Sequence, residues 1–483
     1  MRKITLFAFV LSFLSAAAAV TDKARLVVLT DLANEPDDEE SLVRLLAYAN
    51  EFDFEGLVAT TSCHLRENPR EDILRHTIDA YAQVWTNLIV HAPDYPTPDF
   101  LRSVAASGQP GFGTNSLDVA SAGSRLIVAA MKRDDPRPLW VSVWGGPNTL
   151  HRALRDCRDE LSPEAFAAAQ KKLRVYAISD QDDSGPAIRR EFPLVTWIVD
   201  PSYPYDWRDY WWATWGGISG DVRGVDRAKN LPFVDYVDNA WLKANITDVG
   251  PLGACYPPHI CIMEGDTPSF LGLIRNGLGW SESPDYGGWG GRYVWRTFKD
   301  EPHPIWTSPE QCEEYYGTWR NGNSIVRWRE DYQLDFAARI RWSVTPRYED
   351  ANHNPIAVVN GESGRAVLHL TAVPGATLAL DASGSSDPDG DRLSYSWQIY
   401  RAASSLKGGT LKADGAKATV DLSEVAADGR GDLHVILRVR DSGTPSLAAY
   451  RRVIVHVGRR PPRTLSRLGE GSSRISIPVE KLP

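Results

Sequence analysis

Arg25-Leu26-Val27-Val28-Leu29-Thr30-Asp31-Leu32-Ala33-Asn34-Glu35-Pro36-Asp37-Asp38 is the stretch whose reading decides the fold. Its first five residues are an apolar, β-branched run, the pattern of a buried strand. Beyond the acidic residues, Leu42, Val43, Leu45, Leu46 and Tyr48 fall on helical spacing. Strand, acidic loop and helix place the loop at the carboxyl end of a strand, where open α/β sheets hold ligands. Asp31, Asp37 and Asp38 on one short turn repel each other, and a hard cation such as Ca2+ relieves that repulsion. The competing reading is that Asp37 and Asp38 only complement the helix dipole. The local pattern favours neither.

The same alternation continues downstream. Phe54–Ser62 is a second strand ending in small hydroxylated residues, and a helical pattern covers Pro69–Trp85. A helix over Ala120–Met131 leads to the strand Pro138–Trp144. Gly145-Gly146 then lets backbone approach a ligand closely, and Asn148, opening the next helix, is a candidate substrate contact. Leu173–Ser179 ends at Asp180, Asp182 and Asp183, followed by a helix over Ala187–Phe192 and a strand over Val195–Val199. Strands alternating with helices signal an α/β domain with a largely parallel sheet flanked by helices. An aromatic belt follows, in which Trp207 and Trp211 are candidate stacking faces for a sugar. The Gly-aromatic loop Gly287–Tyr293 has the freedom to lie over a cleft.

From Ile356 to Val457 helical periodicity gives way to short β runs separated by turns, the spacing of an Ig-like β-sandwich. Arg2 and Lys3, an apolar run to Leu14 and small residues to Ala19 read as a cleaved signal peptide. The expected organisation is a leader at 1–19, an α/β domain at 20–345, a sandwich at 355–458 and a poorly ordered tail at 459–483. The protein is then secreted or periplasmic, with no membrane anchor. In that compartment Cys255 and Cys261 are close enough in sequence for one local disulfide.

A net charge of −9 with no Lys/Arg cluster argues against a nucleic-acid partner. The aromatic content, 17 Trp and 18 Tyr against 3 Met, suits flat sugar-facing surfaces as well as an aromatic-rich core.

The acidic stretch resembles the Asp-rich signature of the nucleoside hydrolase superfamily. It most resembles a secreted bacterial branch whose nucleoside hydrolase-like domain carries a "cellulose-binding" label. Met263-Glu264-Gly265-Asp266 resembles the family's late motif, and Ser383-Gly384-Ser385-Ser386-Asp387-Pro388 with Trp397 resembles an Ig-like PKD module with its buried strand Trp. The resemblance implies Ca2+ held by Asp31, Asp38, Asp266 and the Trp144 carbonyl, with Asp37 on a sugar hydroxyl. It also implies a calcium-bound water deprotonated by Asp31, in a hydrolase acting on a carbohydrate or polysaccharide glycosidic bond. Two departures stand out. Five residues, Leu32 to Pro36, separate the first Asp from the pair where ordinary members have three. Gly265 stands where the family has the His assigned to leaving-group protonation. Glu191 and Asp182 are the replacement acids expected from their places near strand ends. The alternative is a non-catalytic polysaccharide-binding protein on the same fold; a homo-oligomer is compatible with either.

Overall fold

The computed structural model describes residues 23–458 except 34, 205–213, 216, 220–230, 261 and 299. The expected leader and tail, Trp207, Trp211 and Cys261 therefore lie outside the described residues. The apolar run before Asp31 forms β1 (Ala24–Thr30), buried along its whole length except at Ala24. Its side chains alternate between two faces. Leu26 and Val28 pack with Leu42, Leu45 and Leu46 in one layer. Val27 and Leu29 pack with Val141, Val143, Leu150 and Leu154 in the other. A strand with helices on both faces needs an unbroken apolar run, and that is what the sequence supplies.

The remaining strands of this sheet are β2 (Phe52–Ala59), β3 (Ala105–Ser107), β4 (Leu139–Val143), β5 (Leu173–Ala177), β6 (Thr196–Ile198), β7 (Val294–Arg296) and β8 (Ile305–Thr307). Their spatial order is β3-β2-β1-β4-β5-β6-β8-β7. β1 runs parallel to β2 and to β4, and the edge strand β7 is antiparallel to β8. The chain winds outward from β1 to β3, then crosses back to β4. Strand order thus reverses between β1 and β4, opening a crevice at their carboxyl ends. The acidic loop after β1 and the Gly-Gly turn after β4 both lie on that crevice. None of the described helices is long and apolar enough to cross a membrane.

Short strands and one helix escaped the sequence pattern. β7 and β8 are three residues each, too short for a period to register. The helix Arg329–Trp342 buries eleven of its residues, Arg329, Asp331, Asp335 and Arg339 among them, so it shows no polar face against an apolar one. β2 stops at Ala59, short of the hydroxylated run.

After the hairpin β9 (Glu313–Tyr315) and β10 (Thr318–Arg320), the chain forms an all-β sandwich. Its strands are β11 (Leu368–Ala372), β12 (Thr377–Asp381), β13 (Ser394–Ile399), β14 (Thr410–Asp414), β15 (Lys417–Asp421), β16 (Gly431–Arg440) and β17 (Ala448–Val457). Sheets ordered β11-β17-β16-β13 and β12-β15-β14 enclose Val420, Leu437 and Val453. Trp397 is half-buried rather than buried, its indole N–H reaching the Gly415 carbonyl at 3.3 Å. Asp387 accepts the amides of Asp389 and Asp391 at 2.9 and 3.1 Å, a turn built from its own Asp residues.

The sandwich docks firmly on the α/β layers. Arg438 and Arg440 pair with Glu330 and Asp331 of the helix Arg329–Trp342. The Tyr450 and Arg452 amides donate to the carbonyls of Asn276 and Gly277 at 2.9 and 3.0 Å. Gly287 packs against the Tyr400 ring and Trp289 is buried, so Gly287–Tyr293 is interface and not a cover over a cleft. Cys255 is a free thiol directed at the Pro251 carbonyl, and its expected disulfide partner Cys261 lies outside the described residues.

One buried ion pair brings the late motif to the front of the sheet. Arg44, on α1 (Asp37–Ala47), grips both carboxylate oxygens of Glu264, and both side chains are fully buried. Tyr256 and Thr267 hydroxyls donate to the same carboxylate at 2.9 and 2.7 Å. Arg44 also donates to the Tyr332 carbonyl at 3.0 Å and lies 4.0 Å from the Phe336 ring centre. Removing one partner of such a pair leaves an uncompensated buried charge. Arg44→Met should lower the unfolding free energy by about 3–5 kcal/mol, read by urea denaturation followed through tryptophan fluorescence. Adding Glu264→Leu to it should recover much of the loss.

Candidate active site

Thr30 ends β1 and aims its hydroxyl at Asp38 Oδ1, which also accepts the Asp31 amide at 3.2 Å. Asp37 and Asp38 open α1, so the strand-to-helix turn folds both carboxylates back over the crevice. The Arg44–Glu264 clamp delivers Asp266 from the far side. One oxygen each of Asp37, Asp38 and Asp266 then lies within 4.8 Å of the others, and all three residues are buried. Asp31 adjoins this group: Ser62 donates to its Oδ2, and its other oxygen lies against Gly145. The expectation grouped Asp31 with Asp38 and Asp266; the tight trio instead contains Asp37.

Three buried oxygens here, Asp31 Oδ1, Asp37 Oδ1 and Asp266 Oδ2, have no hydrogen-bond partner. Burial pushes every carboxyl of the group above its ordinary pKa, and their neighbours add to it. Glu35 and Asp31 do so for Asp37, Asp31 and Asp37 for Asp38, and Asp38 and Asp37 for Asp266. For Asp31, Ser62 and His64 partly oppose the burial effect. Unpaired oxygens at close range, with no cation side chain among them, form a donor set that fits a hard divalent ion. The Trp144 carbonyl, expected to join the ion, accepts the Gln181 side-chain amide at 2.6 Å and retains a second lone pair.

Gly145 and Gly146 are required by close approach. A Cβ on Gly145 would meet Asp31 at 2.5 Å, and one on Gly146 would collide with Asp182 Oδ2. Asp31 and Asp182 thus flank the turn from two sides. Asp182 is fully buried, accepts the Ser184 amide at 2.7 Å on Oδ1, and has no partner for Oδ2. Burial, against that hydrogen bond, raises its pKa to about 8, so it carries a proton at neutral pH.

Two expected site residues are spent on other partners. Glu191 is bonded to His151 at 3.1 Å and ion-paired with Arg158 and Arg155 at the far end of its helix. Partial burial would raise its pKa, but the His151 and Arg158 hydrogen bonds outweigh that and hold it ionised, which unsuits it to donate a proton. Asn148 is fully buried; its amide donates to Thr61 Oγ1 and the Gly111 carbonyl at 3.0 and 2.7 Å, and its oxygen accepts Thr60 Oγ1 at 3.2 Å. It ties three loops together and has nothing left for substrate.

Gly265 admits no side chain. A Cβ there would collide with Asp37 Oδ2 and come within 3.0 Å of the Trp215 ring. Trp215, the last of the aromatic belt, occupies the space beside the missing His. Sequence reasoning also missed Thr30, Ser62 and His64 as partners of the carboxylates. The hydroxyl at the end of β1 and the hydroxylated run after β2 were the signal for Thr30 and Ser62, and His64 had none.

The model of the family described as "Cellulose-binding Sde182, nucleoside hydrolase-like domain" matches residues 25–293. This chain belongs to that family. Residues 377–457 match the C-terminal domain of the cellulose-binding protein Sde0182. Among solved structures, a nucleoside hydrolase-related hypothetical protein from Saccharophagus degradans, associated with carbohydrate metabolism, is 36% identical. The alignment covers 90% of this chain and all of that one, with a TM-score of 0.75. The PKD domain of the KIAA 1837 protein is 27% identical over 20% of this chain and 84% of that domain, with a TM-score of 0.14. No curated protein matches the chain.

The carboxylate pKa shifts set the pH dependence. Asp182 moves from 3.8 unfolded to about 8 folded, so its protonated form stabilises the fold fully below pH 3.8, and that contribution disappears as pH rises through 8. Asp37, Asp38 and Asp266 act in the same direction. Metal-free protein should lose thermal stability from acid toward pH 8. Added Ca2+ should raise the Tm more at pH 7.5 than at pH 5, because protons compete for its ligands. Scanning calorimetry in EDTA and in excess Ca2+ checks both.

Proposed function

We propose that this protein is an exported, Ca2+-dependent hydrolase acting on a glycosidic bond of a carbohydrate. The observation that carries the reading is the convergence of unpartnered buried oxygens from Asp31, Asp37 and Asp266 on the crevice between β1 and β4. Asp37, Asp38 and Asp266 would hold the ion, with the Trp144 carbonyl beside them. Bound Ca2+ would offset the repulsion of the cluster and acidify a water that it touches.

The chain's own groups supply the rest. Ser62 fixes one oxygen of Asp31 and leaves Oδ1 to accept a proton from the attacking water. Asp182, protonated at neutral pH, donates to the leaving oxygen across the Gly145-Gly146 turn. Adjacent Cα atoms are about 3.8 Å apart, so the two free oxygens, each against one of these glycines, are separated by no more than roughly 12 Å. Paired carboxyls that flank a glycosidic bond with room for a water stand about 6.5–9.5 Å apart. The superfamily's grip on vicinal hydroxyls of a furanose makes a furanosidic sugar the first substrate to try.

A second reading, binding of cellulose or another polysaccharide without hydrolysis, draws on Gly265. Its backbone leaves no room for a protonating His, and the family's description names binding. The two readings separate in one experiment. The mature protein with Ca2+ is incubated with cello-, arabino- and galacto-oligosaccharides, inosine and uridine, and new reducing ends and free base are measured. Hydrolysis of a glycan is expected, with Asp31→Asn folded but about 100- to 10,000-fold slower. Asp182→Asn should slow the reaction comparably and remove the fall in rate near pH 8. Glycan binding without cleavage would select the second reading, and release of free base alone would sink both.

A further inference from the structure

Two histidines meet ring to ring at the seam between the α/β domain and the sandwich. His91 ends the helix Glu71–His91, His353 lies on the connection into the sandwich, and Asp389 belongs to a turn of the sandwich itself. Both rings are buried. His91 Nε2 lies 2.8 Å from the Thr345 carbonyl oxygen, and His91 Nδ1 lies 3.0 Å from His353 Nε2. His353 Nδ1 lies 3.0 Å from Asp389 Oδ1, while the His353 amide donates to Asp389 Oδ2 at 2.7 Å.

These contacts fix a number of protons. A carbonyl only accepts, so His91 supplies the proton facing Thr345. An ionised carboxylate only accepts, so His353 supplies the one facing Asp389. The nitrogen–nitrogen contact takes a third, because two bare lone pairs at that distance repel. Two neutral imidazoles carry two. The row from Thr345 to Asp389 therefore holds one proton more than two neutral rings, and moving it onto Asp389 leaves the count unchanged. Burial lowers the His91 pKa against the Thr345 hydrogen bond, which leaves the charge on His353 beside the carboxylate. Tyr348 stacks on His353 with 3.7 Å between ring centres, and Trp342 lies 5.2 Å away, faces that favour a cation.

The other charged groups around the row do not replace that proton. On the sandwich side Asp387 and Asp391 share the Asp389 turn, and Asp441 accepts the Asn352 side-chain amide at 3.1 Å. On the α/β side Arg339 pairs with Asp335 and Glu51, Arg347 with Asp350 and Glu349, and Lys23 with Asp94, while Arg341 is exposed. A second histidine pair shows the count without a surplus. His369 Nδ1 and His456 Nε2 are 2.9 Å apart, and His456 Nδ1 lies 2.8 Å from Asp432 Oδ1. The far nitrogen of His369 is 4.0 Å from Glu282, beyond hydrogen-bond reach. Two contacts there use the two protons of neutral rings.

We propose that the His91–His353–Asp389 row is a pH-sensitive clasp, in which one surplus proton fastens the sandwich to the α/β domain and its loss loosens the seam. Unperturbed histidines titrate at about pH 6.5. Above that pH the folded row holds a proton that the unfolded chain has released, so its contribution falls as pH rises. Below it the unfolded chain binds two protons to the row's one, so acid weakens the clasp too and it is tightest near neutrality.

Two measurements on the full chain test this. Nitrogen NMR of protein labelled with 15N-histidine should show, at neutral pH, a buried imidazolium that disappears in His353→Gln, with His369 and His456 neutral. A neutral His353 at that pH overturns the inference. Hydrogen exchange of residues 343–354 and 385–391, corrected for its intrinsic pH dependence, should rise roughly tenfold from neutrality to about pH 9, the size of one charge-assisted hydrogen bond. His353→Gln, whose amide donates and accepts without titrating, should show no such rise. Asp389→Asn keeps an acceptor for His353 and removes the charge opposite it, so the rise should move to lower pH. An unmoved rise in Asp389→Asn, equal responses in wild type and His353→Gln, or a charged His353 with no change in exchange also overturns the inference.

Discussion

The Arg44–Glu264 ion pair is the constraint on which the functional end of the molecule depends. Asp31, Asp37 and Asp38 arrive together because one loop carries them, but Asp266 is more than two hundred residues away. Nothing about four mutually repelling carboxylates would hold a distant chain segment in place. The clamp does so through groups set just outside the cluster. Glu264 sits at a left-handed φ of 49°, its amide bonded to Glu40 at 2.7 Å and its carboxylate fully used. A strained backbone persists where surroundings over-determine it, and such places gather at functional sites. The unfavourable charges and the strain are adjacent, and both are held by Glu40 and Arg44, about one and two helical turns further along α1.

The sandwich belongs to this arrangement and is no loose appendage. Arg438 and Arg440 hold Glu330 and Asp331 at the start of the helix Arg329–Trp342, whose Tyr332 carbonyl and Phe336 ring receive Arg44. A path of packed, bonded groups therefore runs from the sandwich to the clamp. The aromatic residues that the composition makes conspicuous serve this interior: Trp280, Trp289, Tyr400 and Tyr450 are all buried at or near the junction. Aromatic enrichment in this chain reflects core construction at least as much as ligand contact.

The Gly265 position bears on the choice between catalysis and binding. A lost His is compatible with a dead site, but here its space is filled on one side by Asp37 and on the other by Trp215. Across the crevice Asp182 keeps a free oxygen and a raised pKa against Gly146. Under the proposed hydrolysis, Asp182 would be the candidate proton donor in place of the His.

Local sequence determined a good deal. The buried run Arg25–Leu29, the acidic turn, the helical spacing after it and the change to short β runs beyond Ile356 are properties of neighbouring residues, where periodicity and turn chemistry act directly. They were enough for the fold class and for Asp31, Asp37 and Asp38, whereas Asp266 joined that set only through the resemblance of Met263-Glu264-Gly265-Asp266 to the family's late motif. Tertiary structure alone decided which carboxylates share a cavity and which are spent on ion pairs. Glu191 and Asp182 look alike in sequence, yet one lies among Arg155, Arg158 and His151 and the other lies dry against Gly146. Asn148 looked free and is fully bonded. Burial and partner choice depend on residues far apart in the chain, so the same carboxyl becomes an ionised strut or a protonated acid according to what folding brings beside it.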